Sequence, residues 1–310
     1  MFDGTPLRLR IGTRASPMAL YQANLVRDRL LAEVPYLAAE SVELVPMRTT
    51  GDIVLDRPLA EIGGKGLFTK ELERALTDRR IDIAVHSLKD VETRLAPGLM
   101  LGAILGRDDP RDALLSRDGR RLDELPSGAV IGTASPRRRA QLLRHRPDLR
   151  IVPFRGNAGT RLGKLAAGEV DATLLALCGL RRLKQEQLIT EILPPDVMLP
   201  AVGQGALAIE CRSDDDAIRR CLTVLHDPQT AACVSAERAM LDALGGDCYT
   251  PVAGLAQLAD GKLTLEGRLF DPAGKSQVSH VLSGSIADAI DLGRRMGGVL
   301  RQSCAIEFAS

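Results

Sequence analysis

The chain has 310 residues, more than one ordinary core holds, so two or three domains are expected. Its 41 Lys plus Arg stand against 40 Asp plus Glu, and aromatic residues are only 3% with no Trp, which argues against a single-stranded nucleic-acid platform. No apolar run approaches the roughly 20 residues of a membrane helix, and the first ten residues carry no apolar export core, so a cytoplasmic protein is expected.

The six cysteines (178, 211, 221, 233, 248 and 304) form no CxxC pair and the four histidines no HxxxH pair, so the sequence indicates no metal site. In chain order, Leu7 to Ile11 reads as a first strand. Ser16-Pro17 then reads as an N-cap with Pro at the first helical position. Ala19, Ala23, Val26 and Leu30 follow at helical spacing, and Phe68, Leu72, Ala75 and Leu76 give a second such face. Ile81, Ile83 and Val85 form a strand that runs into the polar cluster His86-Ser87-Leu88-Lys89-Asp90. Further on, Val234 to Leu244 reads as a helix stopped by Gly245-Gly246. Leu263, Leu265 and Leu269 mark a strand, and Ile286, Ile290 and Leu300 a closing helix, together a small α+β domain starting near residue 225.

Two internal echoes run through this α/β pattern. Ile11-Gly12-Thr13-Arg14-Ala15-Ser16-Pro17 returns one residue shorter as Ile131-Gly132-Thr133-Ala134-Ser135-Pro136, and Ile81-Asp82-Ile83-Ala84 returns as Val170-Asp171-Ala172-Thr173. Coincidence with common capping chemistry is one reading. The other is two similar lobes that face each other and hold ligands at helix N-termini.

The basic residues gather at strand ends and caps: Arg14, Lys89, Arg137, Arg138, and Arg155 and Arg161 around Gly156-Asn157-Ala158-Gly159. Guanidinium groups bind carboxylates bidentately, so such a set suits a ligand with many carboxylates; a solvated helix face is the plain alternative for residues 137–146. Gly63-Gly64-Lys65-Gly66 lacks a nucleotide P-loop frame and reads equally as a plain loop or as a lid. Asp90 reads either as a cap or ion-pair partner, or as an ionised carboxylate with an electrostatic role. Cys248, between Gly245-Gly246-Asp247 and Pro251, is an incidental loop cysteine or an attachment point.

Five motifs resemble, in order and over nearly the whole chain, those of the porphobilinogen deaminase family. They are Thr13-Arg14-Ala15-Ser16-Pro17, Gly63-Gly64-Lys65-Gly66-Leu67-Phe68, Ala84-Val85-His86-Ser87-Leu88-Lys89-Asp90, Arg155-Gly156-Asn157, and Leu199-Pro200-Ala201-Val202-Gly203-Gln204-Gly205-Ala206. The resemblance implies an α/β fold of three domains, the first two like the lobes of type II periplasmic binding proteins. Domain 1 would cover residues 1–104 and 201–224, domain 2 105–200, and a small α+β domain 3 225–310. It implies a transferase that joins four porphobilinogen units, with loss of ammonia, into hydroxymethylbilane for tetrapyrrole biosynthesis.

By the same resemblance, Cys248 anchors a dipyrromethane cofactor through a thioether, and Asp90 is the catalytic aspartate. Arg14, Ser16, Lys89, Ser135, Arg137, Arg138 and Gln204 match cofactor-holding positions, and Arg14, Arg155, Arg161 and Phe68 substrate-holding ones. Asp247 replaces the family's usual Gly before the cysteine, and Pro136 its usual Leu before the double Arg. The partner is the small-molecule substrate, with no nucleic acid or membrane, and the family expectation is a monomer. A two-lobed carboxylate-binding protein would share the lobes but leave the third domain and Cys248 without a role. A nucleic-acid-binding regulator using Arg137 to Arg146 is opposed by the balanced charge.

Overall fold

The computed structural model describes residues 8–53, 66–245 and 251–307. Leu7, Gly63, Gly64, Lys65, Asp247 and Cys248 lie outside the described residues. Strand β1 (Leu9–Arg14) buries Leu9 and Ile11. It continues three residues past Ile11, because it is paired with a neighbour as far as Arg14. Ser16 then caps α1 (Pro17–Glu33), its Oγ accepting the Ala19 N–H at 3.3 Å, and the expected face packs inward with Gln22 added to it. After β2 (Val42–Met47) come the single turn α2 (Thr50–Ile53), α3 (Lys70–Thr77), β3 (Ile83–Ser87) and β4 (Leu99–Ile104). Phe68 stands in the turn before α3, whose buried face is Leu72, Ala75 and Leu76.

The second lobe opens with β5 (Asp112–Ser116) and β6 (Val130–Gly132). Ser135 caps α4 (Pro136–His145), then β7 (Arg150–Val152) and Asn157-capped α5 (Ala158–Ala166) follow. It closes with β8 (Ala172–Ala176), α6 (Leu177–Arg182) and β9 (Glu191–Ile192). The chain goes on to β10 (Leu207–Arg212), α7 (Asp216–Leu222) and α8 (Pro228–Leu244). Strands β11 (Val252–Ala259), β12 (Lys262–Phe270) and β13 (Gln277–Ser285) and helix α9 (Ala289–Glu307) complete it.

The chain divides into two compact units, which it passes between at residues 107/108, 205/206 and 231/232. The first holds one five-stranded sheet of order β2-β1-β3-β10-β4. The second holds a five-stranded sheet of order β7-β6-β8-β5-β9 and a three-stranded sheet of order β11-β12-β13, each with its own apolar core. The protein is thus α/β, and its described residues are built around three sheets.

The echoes are equivalent strands. β1 pairs in parallel with β2 and β3, and β6 in parallel with β7 and β8. Ile11 pairs with Ile83 and Gly12 with Ala84, just as Ile131 pairs with Ala172 and Gly132 with Thr173. The aspartates of the second echo do the same job in each sheet. Asp82 accepts the Arg10 N–H at 2.9 Å, and Asp171 the Val130 N–H at 2.8 Å. Five matched details are more than capping coincidence produces.

The tail differs from expectation at both its helices. α8 starts at Pro228, six residues before Val234, because Asp227 Oδ1 accepts the Thr230 N–H at 2.6 Å and caps it. In α9, Ile286 precedes the helix and Ile290 lies on its exposed side; the buried stripe is Ala289, Leu292, Met296 and Leu300. An i, i+3/i+4 face chosen one position over carries the packing.

Candidate active site

In the first unit, parallel pairing of β1 and β3 brings the ends of both strands to the same edge of the sheet. Past β3, the Leu88 N–H still bonds the Ala206 carbonyl at 3.0 Å, and Leu88 to Asp90 form one 3-10 turn. Leu88 is the buried anchor of that turn, Lys89 is exposed, and the Asp90 side chain is 33% exposed. Arg14, the last residue of β1, places Nη1 3.9 Å from Asp90 Oδ2 and its guanidinium 4.3 Å over the Phe68 ring. Its main partner is Asp52, bonded through Nε at 3.1 Å and through Nη2. Burial opposes the Arg14 charge, but Asp52 and Asp90 outweigh it and hold the guanidinium above its ordinary value. Ser16 is engaged as the α1 cap.

In the second unit, the run 137–146 splits. Arg139 and Arg144 are exposed, as a solvated face requires, whereas Arg137 and Arg138 are buried. Both point at Asp112, the fully buried first residue of β5: Arg137 Nη2 reaches Oδ2 at 2.7 Å, and Arg138 Nη2 reaches Oδ1 at 2.7 Å. Gln204 donates to the same Oδ1 at 3.0 Å and to the Pro110 carbonyl at 2.6 Å. Burial alone would push Asp112 up; the two guanidinium charges reverse this and hold it far below the carboxylate range. Burial lowers Arg137 in turn. Arg137, Arg138 and Gln204 thus share one internal carboxylate, while Nε of each arginine is buried without a hydrogen-bond partner.

Arg161, in the first turn of α5, also has a buried, unpartnered Nε and no ion pair among the described residues. Its pKa falls to about 10, chiefly through burial and then through the charge of Arg138. Arg155 is half-buried beside Gly156, whose φ of 118° lets the chain turn into the Asn157 cap. Ser135 Oγ accepts the Arg138 N–H at 3.4 Å, so this residue too is used as a cap. Asp112 and Asp52 were not singled out from the sequence: each lies in an ordinary polar stretch, and only its contacts give it a role.

The family models "Porphobilinogen deaminase, dipyromethane cofactor binding domain" and "Porphobilinogen deaminase, C-terminal domain" match residues 9–220 and 231–302. The chain belongs to the porphobilinogen deaminase family. The enzyme is a transferase that joins four porphobilinogen units with loss of ammonia to give the linear tetrapyrrole hydroxymethylbilane, in tetrapyrrole biosynthesis, and it uses a dipyrromethane cofactor. Among solved structures, the chain is similar to the VFT2 domain of BvgS from Bordetella pertussis at 14% identity, covering 75% of this chain and 91% of that one, with a TM-score of 0.42. It is similar to a probable amino-acid ABC transporter extracellular-binding protein, ytmK, from Bacillus subtilis at 11% identity, covering 70% and 89%, with a TM-score of 0.43. A periplasmic binding protein from Brucella ovis with glutathione bound matches at 16% identity, covering 76% and 68%, with a TM-score of 0.42.

The residues present fit the cofactor, whose acetate and propionate arms are anionic. Asp112 supplies one negative charge to two buried guanidinium groups, which leaves one positive charge over, and Arg161 adds another. Buried charge of one sign without a counter-ion is unfavourable, and a carboxylate ligand relieves it.

Proposed function

We propose that Asp90 is the carboxylate that stabilises the positive charge developing on porphobilinogen as ammonia departs. The observation that supports it most is its setting. The carboxylate is fixed on a one-turn anchor, one-third exposed, with the Arg14 guanidinium 3.9 Å away. A preorganised anion at the place where cationic charge appears lowers the barrier without reorganisation. Replacing Asp90 with Asn or Ala is expected to cut turnover by about 100-fold or more; steady-state kinetics on both variants tests this, and near-normal turnover would sink the assignment.

The remaining roles are part of the same proposal. Arg14, Ser16, Lys89, Ser135, Arg137, Arg138 and Gln204 hold the cofactor, and Arg14, Arg155, Arg161 and Phe68 hold the incoming substrate. The cofactor, when bound, supplies the free pyrrole carbon that is extended. Arg161 is the best supported of these residues, because its depressed pKa rises again when a carboxylate pairs with it. Cys248 is the thioether anchor, within the cofactor-anchoring domain spanning residues 225–310; domain 1 comprises residues 1–104 and 201–224, and domain 2 residues 105–200. Intact mass of the protein and of Cys248→Ser tests the anchor. An excess of two condensed porphobilinogen units in the parent alone is expected; an equal excess in both would reject Cys248. We further propose a cytoplasmic monomer; no described helix is long and apolar enough to cross a membrane. Light scattering and cell fractionation test those two points.

A further inference from the structure

β3 carries a buried titratable group that the proposed chemistry does not use. His86, four residues before Asp90, pairs across the sheet with Ala208, and Glu210 pairs with Ala84. The two polar side chains are therefore diagonal neighbours on one face. His86 Nε2 lies 3.1 Å from Glu210 Oε2, both side chains are buried, and Oε1 of Glu210 has no hydrogen-bond partner. Glu73 on α3 is a further titratable group whose field reaches both. Glu210 also sits at a register shift between β10 and β4, a bulge that re-aims a side chain.

A buried polar pair carries a desolvation penalty that apolar packing would spare, so its presence asks for another account. Register gives one. Ala206 and Leu207, at the start of β10, hold Leu88 and Ser87 by backbone pairing, so the turn that bears Asp90 is aligned on β10. On the face concerned the neighbours Ala84 and Ala208 are small, and a slip of one residue would invert every side chain of β3. His86 and Glu210 supply a directional contact that only one register satisfies.

We propose that His86, acting through Glu210, is a positioning residue for Asp90. It fixes the β3–β10 register and with it the direction of the Leu88–Asp90 turn. This rests on the reading of Asp90 as the catalytic carboxylate.

The test compares His86→Leu, Glu210→Leu and the double variant, each as cofactor-loaded protein, by Tm, intact mass, kcat and KM. Each single change strands a buried partner and should lower Tm, whereas the double change removes both and should restore it. The expected result is a double variant with restored Tm, full cofactor mass and KM within about twofold, but with kcat about 10- to 100-fold lower. A merely structural pair would give the double variant a normal kcat. That result overturns the proposal, as does a Tm that stays low or a rate loss explained by missing cofactor mass. Asp90→Asn, made alongside, separates the two readings: if it retains full activity, the reading of Asp90 has failed. If it is inactive while the double variant is fully active, only the positioning role has failed.

Discussion

The surroundings of Arg161 oppose its charge: burial and Arg138 pull its pKa down to about 10. Residues held in an unfavourable state for a ligand's sake trade stability for function. Arg161→Leu is therefore expected to leave Tm unchanged or raised while KM for porphobilinogen rises by about tenfold or more. Thermal melts and kinetics on the same sample check both halves. Asp112 behaves in the opposite way. Among the described residues it is the sole carboxylate bonded to Arg137 and Arg138, so Asp112→Asn leaves two buried guanidinium groups short of a counter-charge. The expected loss is about 3–5 kcal/mol in urea unfolding, the range for breaking one side of a buried ion pair. Gln204→Ala removes a neutral donor and should cost about 1–3 kcal/mol in the same measurement.

At the scale of elements, close approach decides the packing of the last domain. A Cβ on Gly293 of α9 would lie 2.1 Å from the Ala236 carbonyl of α8, and one on Gly297 would lie 2.6 Å from the Met240 carbonyl. Both glycines let the two helix backbones approach, so the sheet β11-β12-β13 and α8 can share one core with α9. Gly293→Ala is expected to destabilise by about 1–3 kcal/mol, since the obstacle is backbone and cannot rotate away; a denaturant melt checks it. These glycines carry no signal in the sequence beyond being glycine within a helix. The capped starts of α1 and α4 were legible, because Ser-Pro before an apolar stripe is a local device. The start of α8 was missed because its cap, Asp227, lies seven residues ahead of Val234, the first obvious apolar position.

For the whole molecule, acid stability follows from carboxylates held low by arginine. Burial works against Asp82, yet its bonds to Arg10 and Arg212 bring it below the ordinary value, and Arg14 does the same for Asp52. A carboxylate with a lowered folded pKa contributes stability above its unfolded value of about 4, and that stability fades as pH falls through the folded value. Tm should hold between about pH 7 and pH 5 and fall below about pH 4. In Asp82→Asn, Tm at neutral pH should be lower and the acid fall shallower. Calorimetry across pH on both proteins checks the sign.

What is local or repeated could be read along the chain: the α/β alternation, the capped helices, the two echoes and the ordered family motifs, with Asp90 among them. Each of these depends on neighbours within a few residues or on recurrence, so a linear reading captures it. How the charges are shared was fixed by the packing of the folded chain. It placed Asp112 under Arg137 and Arg138, gave Asp52 rather than Asp90 the close bond to Arg14, and set His86 against Glu210 across two strands. Those partners stand 25, 26, 38 and 124 residues apart. Buried polar groups must be satisfied by whatever the fold brings near, and which groups those are is settled by strand order and register rather than by spacing along the chain.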